Sequence, residues 1–124
     1  METEWKRVID QPAEHLTITN ARSPAGTLTI TVTGDLDRET MTKFRRHLAG
    51  VVDGHRDGDL DLNLSAVDFC DLAGLRTLQA LDQATDGHHQ VRITAASPAV
   101  DALLQLCRIP TLLAYTPSTS PHEH

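Results

Sequence analysis

The chain has 124 residues, enough for one domain that buries its own core, and only 3% of them are aromatic, so Leu, Val, Ile and Ala must build that core. A formal charge of −6 argues against a nucleic-acid partner, whose affinity draws on clustered Lys and Arg. No apolar run reaches the roughly 20 residues of a membrane span, and the charged start Met1–Arg7 leads into no apolar signal segment, so a cytoplasmic location is expected.

Residues 1–14 read as an N-terminal extension, polar except for Trp5, Val8 and Ile9, and a short helix, an added strand and a frayed arm all remain open. Leu16–Asn20 and Thr27–Thr33 alternate as strands, and the Pro24 and Gly26 turn between them predicts a hairpin. Gly34-Asp35-Leu36-Asp37 closes the second strand, with Asp37 placed to cap a helix. Met41, Phe44, Leu48, Val51 and Val52 give that helix an apolar stripe. Its opposite face carries Arg38, Lys43, Arg45, Arg46 and His47, a solvated face by default and a docking face for an acidic partner at most.

After the polar loop at residues 53–59, Leu60, Leu62 and Leu64 alternate with Asp61 and Asn63 in a strand running through Val67 and Phe69 to Asp71. A second helix is expected from Leu72 to about Thr85, stopped by Asp86-Gly87, and a strand from Gln90 to Ala95. Ser97-Pro98 is a helix start whose buried side is Val100, Leu103, Leu104 and Cys107. Pro110 ends that helix, Leu112–Tyr115 reads as a last short strand, and 116–124 as a disordered tail.

The order β-β-α-β-α-β-α-β predicts a single α/β domain over 15–115, with a mostly parallel mixed sheet packed by helices. Cys70 and Cys107 lie in apolar stretches without the spacing of a zinc site and read as buried thiols.

The turn 69–75 departs from simple core logic. Asp71 is placed to cap the second helix, its carboxylate meeting free backbone N–H groups and the positive end of the helix dipole. The core stripe of this helix is Leu75, Leu78 and Leu81; Leu72 lies about 120° from Leu78, so Leu72 and Ala73 should face outward. Gly74 is a poor helix former. Its place in the first turn implies a close approach, either by a partner's backbone or by the neighbouring Gly34 loop.

The run Asn63-Leu64-Ser65-Ala66-Val67-Asp68-Phe69-Cys70-Asp71-Leu72-Ala73-Gly74-Leu75, preceded by Gly34-Asp35-Leu36-Asp37, resembles the STAS domain of bacterial anti-sigma factor antagonists over about Leu16–Tyr115. The resemblance implies a partner, an anti-sigma factor with a histidine-kinase-like ATPase fold. In that family the partner phosphorylates the Ser after the Asp, and the phosphate breaks the complex. Such a phosphate adds roughly −1.5 to −2 charge beside a carboxylate and beneath the docked partner.

Here the phosphoacceptor position is Leu72 and the next is Ala73, and neither can take a phosphate; Asn63 also replaces the family's Asp. The resemblance therefore implies an antagonist-like regulator that influences sigma-factor-dependent transcription without that switch. Leu72 and Ala73 would form the apolar contact on a helix start held by Asp71, with Gly74 part of the same partner-binding turn. Asp35, Asp37, Arg76 and Thr77 would border it. Ser65 and Thr77 are not placed to substitute for the missing Ser.

A second expectation, of a different class, is a STAS adaptor or ligand-sensing subunit, in a lipid-transport complex or holding a nucleotide or lipid, since the fold serves several uses. Catalysis is the weakest reading. The chain has no Gly-x-Ser-x-Gly elbow, phosphate-binding Gly-rich loop or His-Glu-x-x-His. His88 and His89 read as a solvated turn, and His122 and His124 as incidental. No cofactor or metal is implied, and a homodimer is left open.

Overall fold

A computed structural model describes residues 16–54, 59–84 and 91–118. Among these, β1 (Leu16–Arg22), β2 (Leu28–Leu36), β3 (Leu60–Cys70) and β4 (Val91–Ala96) alternate with α1 (Met41–Gly54), α2 (Leu72–Ala84) and α3 (Pro98–Leu106). They form one four-stranded sheet in the spatial order β1-β2-β3-β4. β1 and β2 are antiparallel, and β2, β3 and β4 are parallel, so the expected mostly parallel mixed sheet with a leading hairpin is present.

Alternation fixes which face is buried. Leu28, Ile30 and Val32 on β2, Leu60, Leu62 and Leu64 on β3, and Val91 and Ile93 on β4 enter one core. Their neighbours Thr29, Thr31, Asp61, Asn63, Arg92 and Thr94 are polar and face the other way. On that face Arg92 pairs with Asp61 across β3 and β4 at 2.9 Å. Two crossovers in the same direction, each right-handed by rule, place α1 and α2 on the apolar face, where they touch. α3 packs on β3 and β4.

The helix stripes are as their spacing predicts. Phe44 and Leu48 of α1, Leu75 and Leu78 of α2, and Val100 and Leu104 of α3 are buried. Met41, Val51, Leu81, Leu103 and Cys107 are partly so. Ser97 caps α3, its hydroxyl accepting from the Val100 N–H at 3.2 Å, with Pro98 in the first turn. The basic face of α1 is not all solvated. Lys43 Nζ donates to the Leu16 carbonyl at 2.6 Å and His47 Nε2 pairs with Asn20 Oδ1 at 3.0 Å, fastening α1 to the edge strand β1.

One element differs from expectation: Leu112–Tyr115 is a tight turn, not a strand. Leu113 (φ 48°) and Ala114 (φ 66°) are left-handed, which reverses the chain and closes an isolated antiparallel bridge between Leu112 and Tyr115. The Leu113 carbonyl still accepts from the Ile93 N–H at 2.9 Å, partly covering the edge of β4. Beyond it, the Ser118 N–H donates to Asp101 Oδ1 at 2.9 Å, so the described chain runs past Tyr115 as far as Ser118. The extension 1–14, His55–Gly58, Asp86-Gly87 with His88 and His89, and His122 and His124 lie outside the described residues.

Candidate functional site

The C-terminal ends of β2 and β3 lie side by side, Leu36 paired with Cys70, and the turns leaving them form one surface. In a parallel sheet this is the end where loops collect ligands and partners. Two capped turns build it. After β2, Asp37 Oδ1 accepts from the Glu39 and Thr40 N–H groups at 2.9 and 3.1 Å. Thr40 answers: its hydroxyl accepts from the Asp37 N–H at 3.0 Å and donates to the Asp35 carbonyl at 2.8 Å. Asp37 thus caps a turn ahead of α1, and Thr40 supplies the first carbonyl of the helix, accepting from the Phe44 N–H.

After β3, Asp71 performs the capping role that its position predicts, with an addition. Its Oδ1 accepts from the Gly74 N–H at 3.0 Å, three residues into α2, and Oδ2 receives the Arg38 N–H of the other turn at 3.4 Å. Its own N–H donates to the Leu36 carbonyl at 3.1 Å. One residue therefore ties the two turns together through both backbone and side chain.

Gly74 explains why the turns can meet. A Cβ built there would lie 2.5 Å from the Leu36 carbonyl oxygen, so the backbones approach only because residue 74 has no side chain. Of the two close approaches open from sequence, the internal one occupies this space. It involves Leu36, two residues beyond Gly34.

Leu72 stands 52% exposed, as its helical phase predicts, and Ala73 is half-buried. Arg76, one turn on, is exposed. Asp35 and Asp37 are half-buried on the neighbouring turn. Thr77 does not border this surface: it is 7% exposed and its hydroxyl donates to the Ala73 carbonyl at 3.1 Å. Gly74 is likewise behind the surface, supporting it. Cys70, buried beneath the turn, has its thiol pushed up to about 12 by burial, with the charges of Asp71 and then Asp37 adding to it. It remains a neutral thiol, and its environment is one in which a further negative charge is costly.

Sequence reasoning missed Phe69, which is 50% exposed. Simple alternation from Val67 would send it inward. The signal that contradicts this is the spacing of Val67 and Cys70: both are buried, yet three apart, which a period of two cannot satisfy without an inserted residue.

The family model described as Mlab, STAS domain matches residues 19–114, and the protein belongs to the STAS domain family. No curated protein sequence matches it. Among solved structures, an anti-sigma factor antagonist from Mycobacterium paratuberculosis shares the fold with a TM-score of 0.66 and 24% identity, over 76% of this chain and 79% of that one. The anti-sigma factor antagonist SpoIIAA in its unphosphorylated form gives a TM-score of 0.60 at 15% identity, over 75% and 82%. At these identities the likeness is one of fold.

Proposed function

We propose that this protein is an antagonist-like regulator that binds a histidine-kinase-like anti-sigma factor at the start of α2 and so influences sigma-factor-dependent transcription. One observation carries the reading. The capped turn is complete, with Asp71 bonded to Gly74 and Arg38, yet the position after Asp71 presents a half-exposed Leu72 in place of the hydroxyl that the family's switch requires. Leu72 and Ala73 form the apolar contact, and Asp35, Asp37 and Arg76 border it. Binding is then constitutive, since no phosphate can be placed where it would repel the partner. The protein acts by docking, without catalysis, in the cytoplasm.

The experiment is a binding titration of a purified histidine-kinase-like anti-sigma factor from the same cell against the wild type and Leu72→Asp. The proposal requires binding by the wild type and its loss in the variant, because the new carboxylate has to be buried under the partner. Absence of wild-type binding to any such factor of that cell contradicts it.

A second reading is a STAS adaptor or ligand-sensing subunit, for instance in a lipid-transport complex. It is supported by the matched family model being described by Mlab rather than by an anti-sigma factor antagonist. A clear rise in melting temperature with a nucleotide or lipid would favour this reading, since a ligand that binds only the folded state stabilises it.

A further inference from the structure

Phe69 is one of two phenylalanines in the chain, and the other, Phe44, is fully buried. Its exposure has a specific cause. Pairing between β2 and β3 runs Gly34 to Val67 and then Asp35 to Phe69, so Asp68 is an extra residue without a partner. Gly34, opposite, has φ 110°, a conformation that side chains disfavour. It is the second such irregularity in β3, after one opposite Thr31–Thr33, and it returns the strand to the outward phase of Asp61 and Asn63, with Asp68 and Phe69 both exposed. Bulges re-aim side chains beside functional sites, and here the pair of them leaves a phenylalanine at the surface beside the turn.

Three residues further on, across Cys70 and Asp71, Leu72 is exposed to the same degree. Leu106, on the end of α3, is exposed too. It has no bulge behind it, and a lone exposed leucine is ordinary. Charge divides around Phe69 and Leu72. Asp68 adjoins Phe69 in the bulge and Asp35 faces it across the strands, whereas Arg76 follows Leu72 by one turn on the same helix face.

We infer that Phe69, aimed outward by the Asp68 bulge, is the anchor of the docking surface. Its partner is a protein with an apolar socket for the ring, basic residues opposite Asp35 and Asp68, and an acidic residue opposite Arg76. Buried aromatic anchors with charged rims are the residues that dominate interface energies. The inference rests on the proposed function for where docking occurs, and not for which protein docks.

The test places photoreactive benzoylphenylalanine at position 69, and separately at 106, in the full chain in living cells, and identifies the adducts by mass spectrometry. The adduct protein is then purified and titrated against wild type, Phe69→Ala, Asp68→Lys and Arg76→Glu, each checked for an unchanged circular dichroism spectrum. The expected result is a defined adduct at 69 that is absent at 106. Phe69→Ala should weaken affinity at least about tenfold, and both charge reversals should weaken it, less so at high salt. No adduct at 69, equal adducts at both positions, or a Phe69→Ala affinity within about twofold of wild type would overturn the anchor. An adduct partner without a kinase-like fold would sink the proposed function and leave the anchor standing. A kinase-like factor that loses Leu72→Asp but binds Phe69→Ala normally would do the reverse.

Discussion

The Leu36 carbonyl oxygen occupies the space where a side chain on Gly74 would begin, 2.5 Å from the site of its Cβ. Gly74→Ala therefore drives a methyl group into backbone, and the clash outweighs the roughly 1 kcal/mol that alanine gains over glycine inside a helix. A net destabilisation of about 1–3 kcal/mol is expected, typical of overpacking. Gly50, in α1, is the control: a Cβ placed there would meet nothing within 4 Å, so Gly50→Ala should stabilise by about 0.5–1 kcal/mol. Urea midpoints of the two variants should move in opposite directions.

Asp71→Ala removes the acceptor for the Gly74 and Arg38 N–H groups together. About 1–2 kcal/mol of stability should be lost. Asp71→Asn retains an acceptor oxygen for the cap and should lose less. Chemical denaturation with an unchanged m-value would identify the effect as lost stability and not a changed unfolded state.

Arg108 marks a place where the chain accepts strain. The Ile109 N–H donates to the Leu104 carbonyl at 2.9 Å and the Arg108 N–H to the Gln105 carbonyl at 3.0 Å, the two bonds of a Schellman ending. The left-handed position that glycine usually fills is Arg108, with φ 58°. Relief of the left-handed cost, roughly 1–2 kcal/mol, outweighs the roughly 0.4–1 kcal/mol of extra unfolded-state entropy that glycine brings, so Arg108→Gly should raise the urea midpoint.

Asp101 gathers the end of the described chain. Its Oδ1 accepts from the Tyr115 hydroxyl at 2.7 Å and the Ser118 N–H at 2.9 Å, and Oδ2 accepts from Gln105 at 2.6 Å. Burial alone would raise its carboxyl, but the hydrogen bonds from Tyr115, Ser118 and Gln105 together hold it below its ordinary value. Its stabilisation is complete above the unfolded-chain value of 3.8 and is lost as pH falls through the lower folded value.

Tyr115 has the opposite sign. Burial first, and then the bond to Asp101 and its charge, push the phenol up to about 12, so its contribution is complete below pH 10 and fades as pH rises through about 12. Tyr115 is the only tyrosine, so tyrosinate absorbance reports it alone. The midpoint should fall part of the way back toward 10 in Asp101→Asn, because burial, the first cause, remains.

Much of this fold was legible because local rules and packing agree. The Phe44 and Leu48 stripe, the Ser97-Pro98 start and the Asp71 cap each follow from spacing or residue chemistry and are found in place. The misses occur where one residue's backbone overrides a pattern. Leu113 and Ala114 take left-handed angles in a run that reads as a strand, and two irregularities in β3 break a simple alternation between Leu64 and Cys70, so the facing of Phe69 needed the pairing. Thr77 was misplaced for another reason. Its hydroxyl is satisfied by the Ala73 carbonyl of its own helix, so a polar side chain sits in the packed layer. At the site, the outward phase of Leu72 and the cap were readable, whereas the link from Asp71 to Arg38 joins distant segments and needed the fold.

The most direct test of the proposed docking site, in which Leu72 stands where the switch would be, is the fate of the complex in ATP. The complex with a histidine-kinase-like anti-sigma factor is incubated with labelled ATP, and bound protein and incorporated phosphate are measured for wild type and Leu72→Ser. The wild type should take up no phosphate and stay bound, while Leu72→Ser should be phosphorylated at residue 72 and released. Phosphorylation and release of the wild type, at Ser65, Thr77 or any other hydroxyl, would contradict it.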